Sequence, residues 1–301
     1  MTLQQLRQVL TIAESNSMNE AAKKLFVSQP NLSATVREVE EELGITVFMR
    51  NNRGITVTAE GEEFLGYAKQ VVEQYHLLEN RYLNVESKKK FSVSMQHYSF
   101  AVKAFVQLAK EVGMDEYEFA VHETKTKEVI DNVKNLKSEI GVLYLSDFNE
   151  KVLRKLFKEC DIEFKELFTC NTYVYLWKKH PLAGKKVIKL DDLQEYPCLT
   201  FEQGVNNSFY YAEEMMSTYE YKRVIKADDR ATMLNLMVGL NGFTLCSGII
   251  SEDLNGDDYA AIPLKESEKM HIGYIKHKGT KLSKLGEIYI DALKNYENKV
   301  L

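Results

Sequence analysis

The period of the apolar residues changes once along this chain, at Phe91, and that change constrains the fold more than any other feature. Up to residue 90 the chain reads as helices with one short hairpin; beyond it, short strand-like runs alternate with helical ones. Ser87-Lys88-Lys89-Lys90 marks the boundary. A length of 301 residues allows two or three domains at ~100–200 residues each. With only four prolines and fifteen glycines, long disordered linkers are not expected.

The opening segment, MTLQQLRQVLTIAES, places Leu3, Leu6, Val9, Leu10 and Ala13 at helical spacing. Ser15-Asn16-Ser17 breaks that helix, and MNEAAKKL forms a second. A third follows in VSQPNLSATVREVEEELG, with Ser28 as N-cap and Pro30 in the first turn, where its missing N–H costs nothing. Leu32, Val36, Val39 and Leu43 form its core stripe. Pro30, Asn31, Ala34 and Arg37 lie opposite, flanked by Gln29 and Ser33. A face of short and amide-bearing groups can approach a DNA groove, where Gln and Asn pair with base edges and Arg with guanine or phosphate. Glu38, Glu40, Glu41 and Glu42 would be repelled by phosphate, so only the N-terminal half of this helix can approach double-stranded DNA.

Charge does not announce that partner. Net charge is −5, and residues 1–60 carry six Lys/Arg against seven Asp/Glu. The claim rests on placement. ITVFMRNNRGITVTAEG reads as strand, turn, strand, with Arg50 and Arg53 at its tip; such a wing can reach backbone or minor groove. The plain alternative is an exposed hairpin with solvated arginines.

Residues 21–61 resemble the winged helix-turn-helix of LysR-type transcriptional regulators. The matching positions are Ala21-Ala22, Leu25, Ser28-Gln29-Pro30, Ser33, Glu40, Leu43-Gly44, Phe48, Arg50, Gly54, Thr58 and Gly61. The resemblance implies a DNA-binding helix carrying Gln29, Pro30, Asn31, Ser33 and Arg37 and a wing carrying Arg50 and Arg53. Gln29 is expected to read bases; Ser33, Arg37 and Arg53 are expected to hold phosphate or sugar.

The next segment has no proline up to residue 90, and Phe64, Ala68, Val71, Tyr75, Leu78, Tyr82 and Val85 follow a heptad spacing. A helix lying on its own domain would drift off a strict heptad, so a helix partner, and hence a homodimer or homotetramer, is expected. The resemblance implies the same linker-mediated pairing.

In the remaining two thirds, FSVSM, YEFAVHE and EIGVLYL alternate with helical runs, as in a parallel α/β sheet, and FKELFTCNTYVYLWKK opens a second strand-rich unit. The expected fold is therefore α+β and multidomain. It comprises a winged helix-turn-helix at 1–60, a linker helix at 61–88, one lobe from 89–164 plus 276–301, and a second from 165–275. EIGVLY, KKHPLAG, the DDL before YPCLTF, and GLNGFTL resemble the same family's two-lobed, periplasmic-binding-protein-like effector domain. Where many relatives have a proline, this chain has Cys246-Ser247-Gly248.

Ligands of such sheets bind beyond strand C-termini. That rule selects Gln96, His97, Ser99, Glu123, Thr124, Thr126, Thr200, Phe201, Glu202, Gln203, Asp229 and Thr232 for a small-molecule effector. Ser99, Thr124 and Thr232 suit an anion or are simple helix caps. Glu123 and Glu202 suit an ammonium, so an amino-acid-like metabolite is expected, with a sulfur-metabolism-related one as the other expectation. His97 is read as hydrogen-bonded structure, and Trp177, Tyr210 and Tyr211 as core.

Four dispersed cysteines read as reduced thiols, and the histidines lack metal-ligand spacing. No GxSxG, HExxH, Walker A or Rossmann glycine motif occurs, so neither an enzyme nor a cofactor is expected. The absence of a signal-peptide pattern and of an apolar run of ~18 residues leads to an expected cytoplasmic location without a membrane partner. The alternative function is a small-molecule-binding protein whose N-terminal domain only mediates association.

Overall fold

The computed structural model describes residues 1–15, 17–51, 54–82, 89–113, 116–206 and 208–296. It divides into two compact units, Met1–Ser87 and Lys88–Leu301.

In the first unit, α1 (Leu3–Ala13) starts with a reciprocal cap: Gln5 N–H donates to Thr2 Oγ1 (3.2 Å) and Thr2 N–H to Gln5 Oε1 (2.8 Å). The helix α2 (Met18–Lys24) is capped by Ser17, and α3 (Gln29–Leu43) by Ser28, whose hydroxyl accepts from Asn31 N–H. Gly44, at φ 68°, ends α3 in the left-handed region. Leu32, Val36 and Val39 are buried against Val9, Ile12, Ala21 and Ala22. The strands β1 (Phe48–Asn51) and β2 (Gly54–Val57) pair antiparallel, with Arg50 opposite Ile55.

The helix α4 (Ala59–Tyr82) begins under Thr58, whose hydroxyl accepts from Gly61 N–H at 2.9 Å. A Cβ on Gly61 would stand 2.4 Å from the Val47 carbonyl oxygen, which explains why a glycine is needed there. Ala68 and Val72 are buried with Leu6, and Phe64 packs partly against them. Part of the expected heptad seam is thus used within its own unit. Val71, Tyr75 and Leu78 are 51%, 39% and 54% exposed. Tyr82 ends the helix, and Val85 lies outside the described residues.

The second unit has two lobes. The first holds five strands in the order β4-β3-β5-β12-β6: β3 (Lys89–Met95), β4 (Tyr117–Glu123), β5 (Ile140–Leu145), β6 (Ile162–Asn171) and β12 (Lys269–His277). β3, β4, β5 and β6 run in one direction, and β12 lies antiparallel between β5 and β6, so the sheet is mixed. It is flanked by α5 (Ser99–Val112), α6 (Thr126–Lys134), α7 (Glu150–Glu159) and α10 (Lys284–Lys294). Tyr289 of α10 donates to the Ala101 carbonyl of α5, which ties the C-terminal helix to this lobe.

The second lobe contains β7 (Tyr173–Trp177), β10 (Thr244–Cys246) and β11 (Tyr259–Pro263) in the order β10-β7-β11. A parallel pair, β8 (Cys198–Phe201) and β9 (Val224–Ala227), joins β10 through a bridge from Cys198 to Phe243. The helices here are α8 (Arg230–Leu240) and α9 (Glu252–Asn255). Boundaries drawn from sequence at 164/165 and 275/276 cut through β6 and β12. Both strands stay hydrogen-bonded in the first sheet out to Asn171 and Lys269. The hand-over is pinned where Thr172 N–H donates to Ser267 Oγ (2.7 Å) and its hydroxyl to the Glu268 carbonyl (2.9 Å).

Two sequence marks turn out to be one junction. Buried His180 accepts from Leu182 N–H at Nδ1 and meets the Asn241 carbonyl at Nε2, both at 3.0 Å. Trp177 donates to the Asn241 side chain. The Cys246-Ser247-Gly248 turn needs its glycine: φ is +79°, and a Cβ would meet the Tyr173 ring at 2.6 Å.

Candidate functional sites

The outer face of α3 is open. Pro30, Asn31 and Arg37 are exposed, and Gln29 and Ser33 are half-buried. Gln29 Nε2 donates to Ser33 Oγ at 2.7 Å, one helical turn away, which holds the amide along the helix surface. The acidic half of α3 is engaged elsewhere. Glu40 accepts from Val47 and Phe48 N–H (2.7 and 3.0 Å), Glu42 pairs with the N-terminal amine, and Glu38 accepts from Gln5. The negative groups therefore fasten α3 to the wing and to α1. Arg53 lies outside the described residues.

In the second unit, a cavity of about 90 Å³ opens between the lobes. Three of the expected effector residues line it: His97, Ser99 and Phe201. His97 stacks on Phe201 with ring centroids 3.6 Å apart. Its N–H and Nδ1 both meet Glu213 Oε2, at 2.9 and 2.8 Å.

Behind that wall lies a buried polar seam between the lobes. Gln96 Nε2 donates to Thr126 Oγ1 (2.6 Å), and Gln96 Oε1 accepts from Tyr98 Oη and Tyr144 N–H. Thr126 in turn donates to the Tyr211 carbonyl and, through its N–H, to Gln203 Oε1. Gln203 Nε2 then donates to Glu213 Oε1 at 2.9 Å. Thr126 and Gln203 thus join the lobes, Gln96 braces Thr126 from within the first lobe, and none of the three is among the residues that line the cavity.

The other expected residues sit at the rim or beyond. Glu123 pairs with Arg230, and Glu202 accepts from Gly204 N–H. The two carboxylates expected to meet an ammonium are therefore engaged within the protein. Thr124 donates to Glu128. Asp229 caps α8, accepting from both Thr232 N–H and Thr232 Oγ1, so this pair forms a helix cap. Those bonds hold the Asp229 carboxyl below its usual range. Thr200 stands in β8 opposite Lys226. Tyr210 is 36% exposed and stacks on Phe148, and Trp177 and Tyr211 are half-buried, so none of the three is core.

Sequence reasoning missed Glu213, Glu214, Arg230 and Cys246. Arg230 lay within a segment already singled out. Glu213-Glu214 had a readable signal: two adjacent carboxylates inside the aromatic and apolar stretch SFYYAEEMM. Burial, and then the neighbouring Glu213, push the Glu214 carboxyl up to about 8. Burial likewise pushes the Cys246 and Cys170 thiols up to about 12, away from thiolate chemistry. Among the described residues no three His, Cys, Asp or Glu side chains gather as a metal site, and no helix is long and apolar enough to cross a membrane.

A winged helix-turn-helix followed by a long helix and a two-lobed α/β body with a cavity between the lobes defines a class: DNA-binding regulators with a separate effector domain. Residues 3–62 match the family described as "Bacterial regulatory helix-turn-helix protein, lysR family", and residues 114–297 match "LysR substrate binding domain". The chain belongs to the LysR family of transcriptional regulators.

It is similar to the transcriptional regulator CysL of Bacillus subtilis, at 25% identity over 98% of each chain. It is also similar to the dual regulator GltC of the same organism, at 30% identity over 68% of this chain and 66% of GltC. A full-length OxyR variant from Pseudomonas aeruginosa shares the fold, with a TM-score of 0.71 at 19% identity, covering 98% and 95% of the two chains.

Proposed function

We propose that this regulator binds an interrupted palindrome in double-stranded DNA as a dimer or dimer of dimers, and that a small metabolite in the inter-lobe cavity modulates that binding. The observation that carries the reading is the division of labour along α3. Its small polar N-terminal face is open to solvent at Pro30, Asn31 and Arg37, while three of its four clustered glutamates are tied to α1, the wing or the N-terminus. Gln29 reads bases, Asn31 assists, and Pro30 lets the first turn approach the groove. Ser33, Arg37, Arg50 and Arg53 hold the backbone. The exposed side chains of Val71, Tyr75 and Leu78 pair two chains, which sets the spacing of the half-sites.

The metabolite acts by preferring one assembly geometry over another. The protein carries out no chemistry on it and works in the cytoplasm without a membrane partner. Gel-shift titration of Gln29→Ala and Arg53→Ala against a promoter fragment tests the DNA side. Gln29→Ala is expected to lose ~1–3 kcal/mol of specific binding, and Arg53→Ala to weaken binding and flatten its salt dependence. Unchanged binding by both variants leaves an association module in place of a DNA reader.

A further inference from the structure

The cavity wall is apolar over most of its area, formed by Phe100, Met233, Leu245, Ile249, Ile250 and Met270. Into this wall the chain sets two consecutive carboxylates, Glu213 and Glu214, only 6% and 5% exposed. A carboxylate buried without a countercharge is strongly disfavoured, and two side by side more so. The nearby basic groups are committed: Arg230 pairs with Glu123, and His97 meets Glu213. Among the described residues no lysine or arginine forms an ion pair with either carboxylate. The donors to Glu214 are backbone N–H groups, chief among them that of Phe201, which meets Oε1 at 2.9 Å. Its carboxyl is pushed up to about 8, the mark of an acid lacking a cation.

A second observation points the same way. Thr244 lines the cavity, is 6% exposed, and its hydroxyl has no hydrogen-bond partner among the described residues. A buried hydroxyl left unpaired is rare in a finished core and calls for a partner.

We infer that the cavity takes a compact apolar primary amine, its ammonium seated against Glu214 and its hydrocarbon body against the surrounding methionine, leucine and isoleucine side chains. This rests on the proposed effector role of the cavity and names the ligand's chemistry. An ammonium supplies the absent countercharge and three donors, which Glu214 Oε2 and Thr244 Oγ1 can accept. A water needs about 10–15 Å³ of such space, so the cavity suits a molecule of roughly six to nine heavy atoms. The start of α5 at Ser99 faces the same space, and a helix start favours an anion. An amino acid with an apolar side chain can satisfy both ends; a simple carboxylate cannot satisfy the glutamates.

The test is a thermal-shift series on the full chain with four probes sharing one branched body: isoamylamine, leucine, isovalerate and isoamyl alcohol, at equal concentration. Isoamylamine is expected to raise the melting temperature, and isovalerate and isoamyl alcohol to leave it unchanged. Glu214→Gln keeps the acceptor for Phe201 N–H and is expected to weaken the amine at least tenfold by calorimetry; Thr244→Val should weaken it less. Three results overturn the assignment: isovalerate stabilising as well as the amine, an amine response that survives Glu214→Gln, or no response to any probe. A response to isovalerate that Met233→Trp abolishes would leave the cavity as an effector site and sink only the amine. Failure of the DNA-binding reading is scored separately by Gln29→Ala.

Discussion

Phe26 sits between α2 and α3 at φ +55°, with 96% of its surface exposed. A left-handed backbone costs a bulky L-residue ~1–2 kcal/mol, and here no buried contact offsets it. Phe26→Gly is expected to stabilise the first unit by ~1 kcal/mol in urea denaturation. Glu214 gives a residue-scale dependence on pH. Its folded pKa, about 8, lies above the ordinary value of 4.5, so between these two pH values the native state holds a proton that the unfolded chain has lost. Stability from this group is complete at low pH and declines as pH rises toward 8, by at most on the order of 5 kcal/mol. Glu214→Gln should flatten the fall in melting temperature between about pH 5 and pH 8. A fall as steep in the variant as in the parent would rule this assignment out.

At the scale of elements, the tie between α3 and the wing depends on one side chain. Glu40→Ala leaves the Val47 and Phe48 N–H groups without their acceptor, at a cost of ~1–3 kcal/mol. Their amide hydrogen exchange should accelerate while that of α8 is unchanged. The helix α4 shows where periodicity stops being informative. A heptad seam and a stripe facing the helix's own domain share positions over two or three turns, because 3.5 and 3.6 residues differ by only ~20° per heptad. The structure assigns Ala68 to the unit's own core and leaves Val71, Tyr75 and Leu78 exposed. Leu78→Glu is therefore expected to shift the chain toward monomer in sedimentation, with little change in its helical circular dichroism. Ala68→Glu should instead unfold the unit, because it buries a charge against Leu6 and Val72.

At the scale of the whole molecule, the two lobes of the second unit are joined by polar bonds as well as by apolar packing. Thr126 bonds across to Gln203 and Tyr211, and Gln96, only 1% exposed, braces it from within the first lobe while also meeting Tyr98 and Tyr144. Gln96→Leu strands these groups and is expected to lower the unit's stability by ~2 kcal/mol or more, measured by chemical denaturation. That seam contains three of the residues assigned from sequence to the effector. They were found because they follow strands, and strand ends in a two-lobed α/β body face the opposite lobe. Whether such a residue touches ligand or the other lobe depends on which partner arrives, and that partner comes from a distant part of the chain. Gln203 meets Thr126 across seventy-seven positions, and Glu213 meets His97 across 116.

The sequence by itself determined what depends on neighbours three or four positions apart. This includes the cap at Ser28, the core stripe of α3 at Leu32, Val36 and Val39 (Leu43, expected in it, is 38% exposed), the change of period at Phe91 and the family motif. Each is a local preference that the rest of the fold leaves intact. Only the tertiary structure decided which polar groups face the cavity, which brace the lobes and which cap helices. It also decided that β6 and β12 belong to the first sheet along their whole length. Those outcomes follow from long-range pairing and from burial, which set the partner and the charge state of a side chain such as Glu214, and neither is encoded in its immediate neighbours.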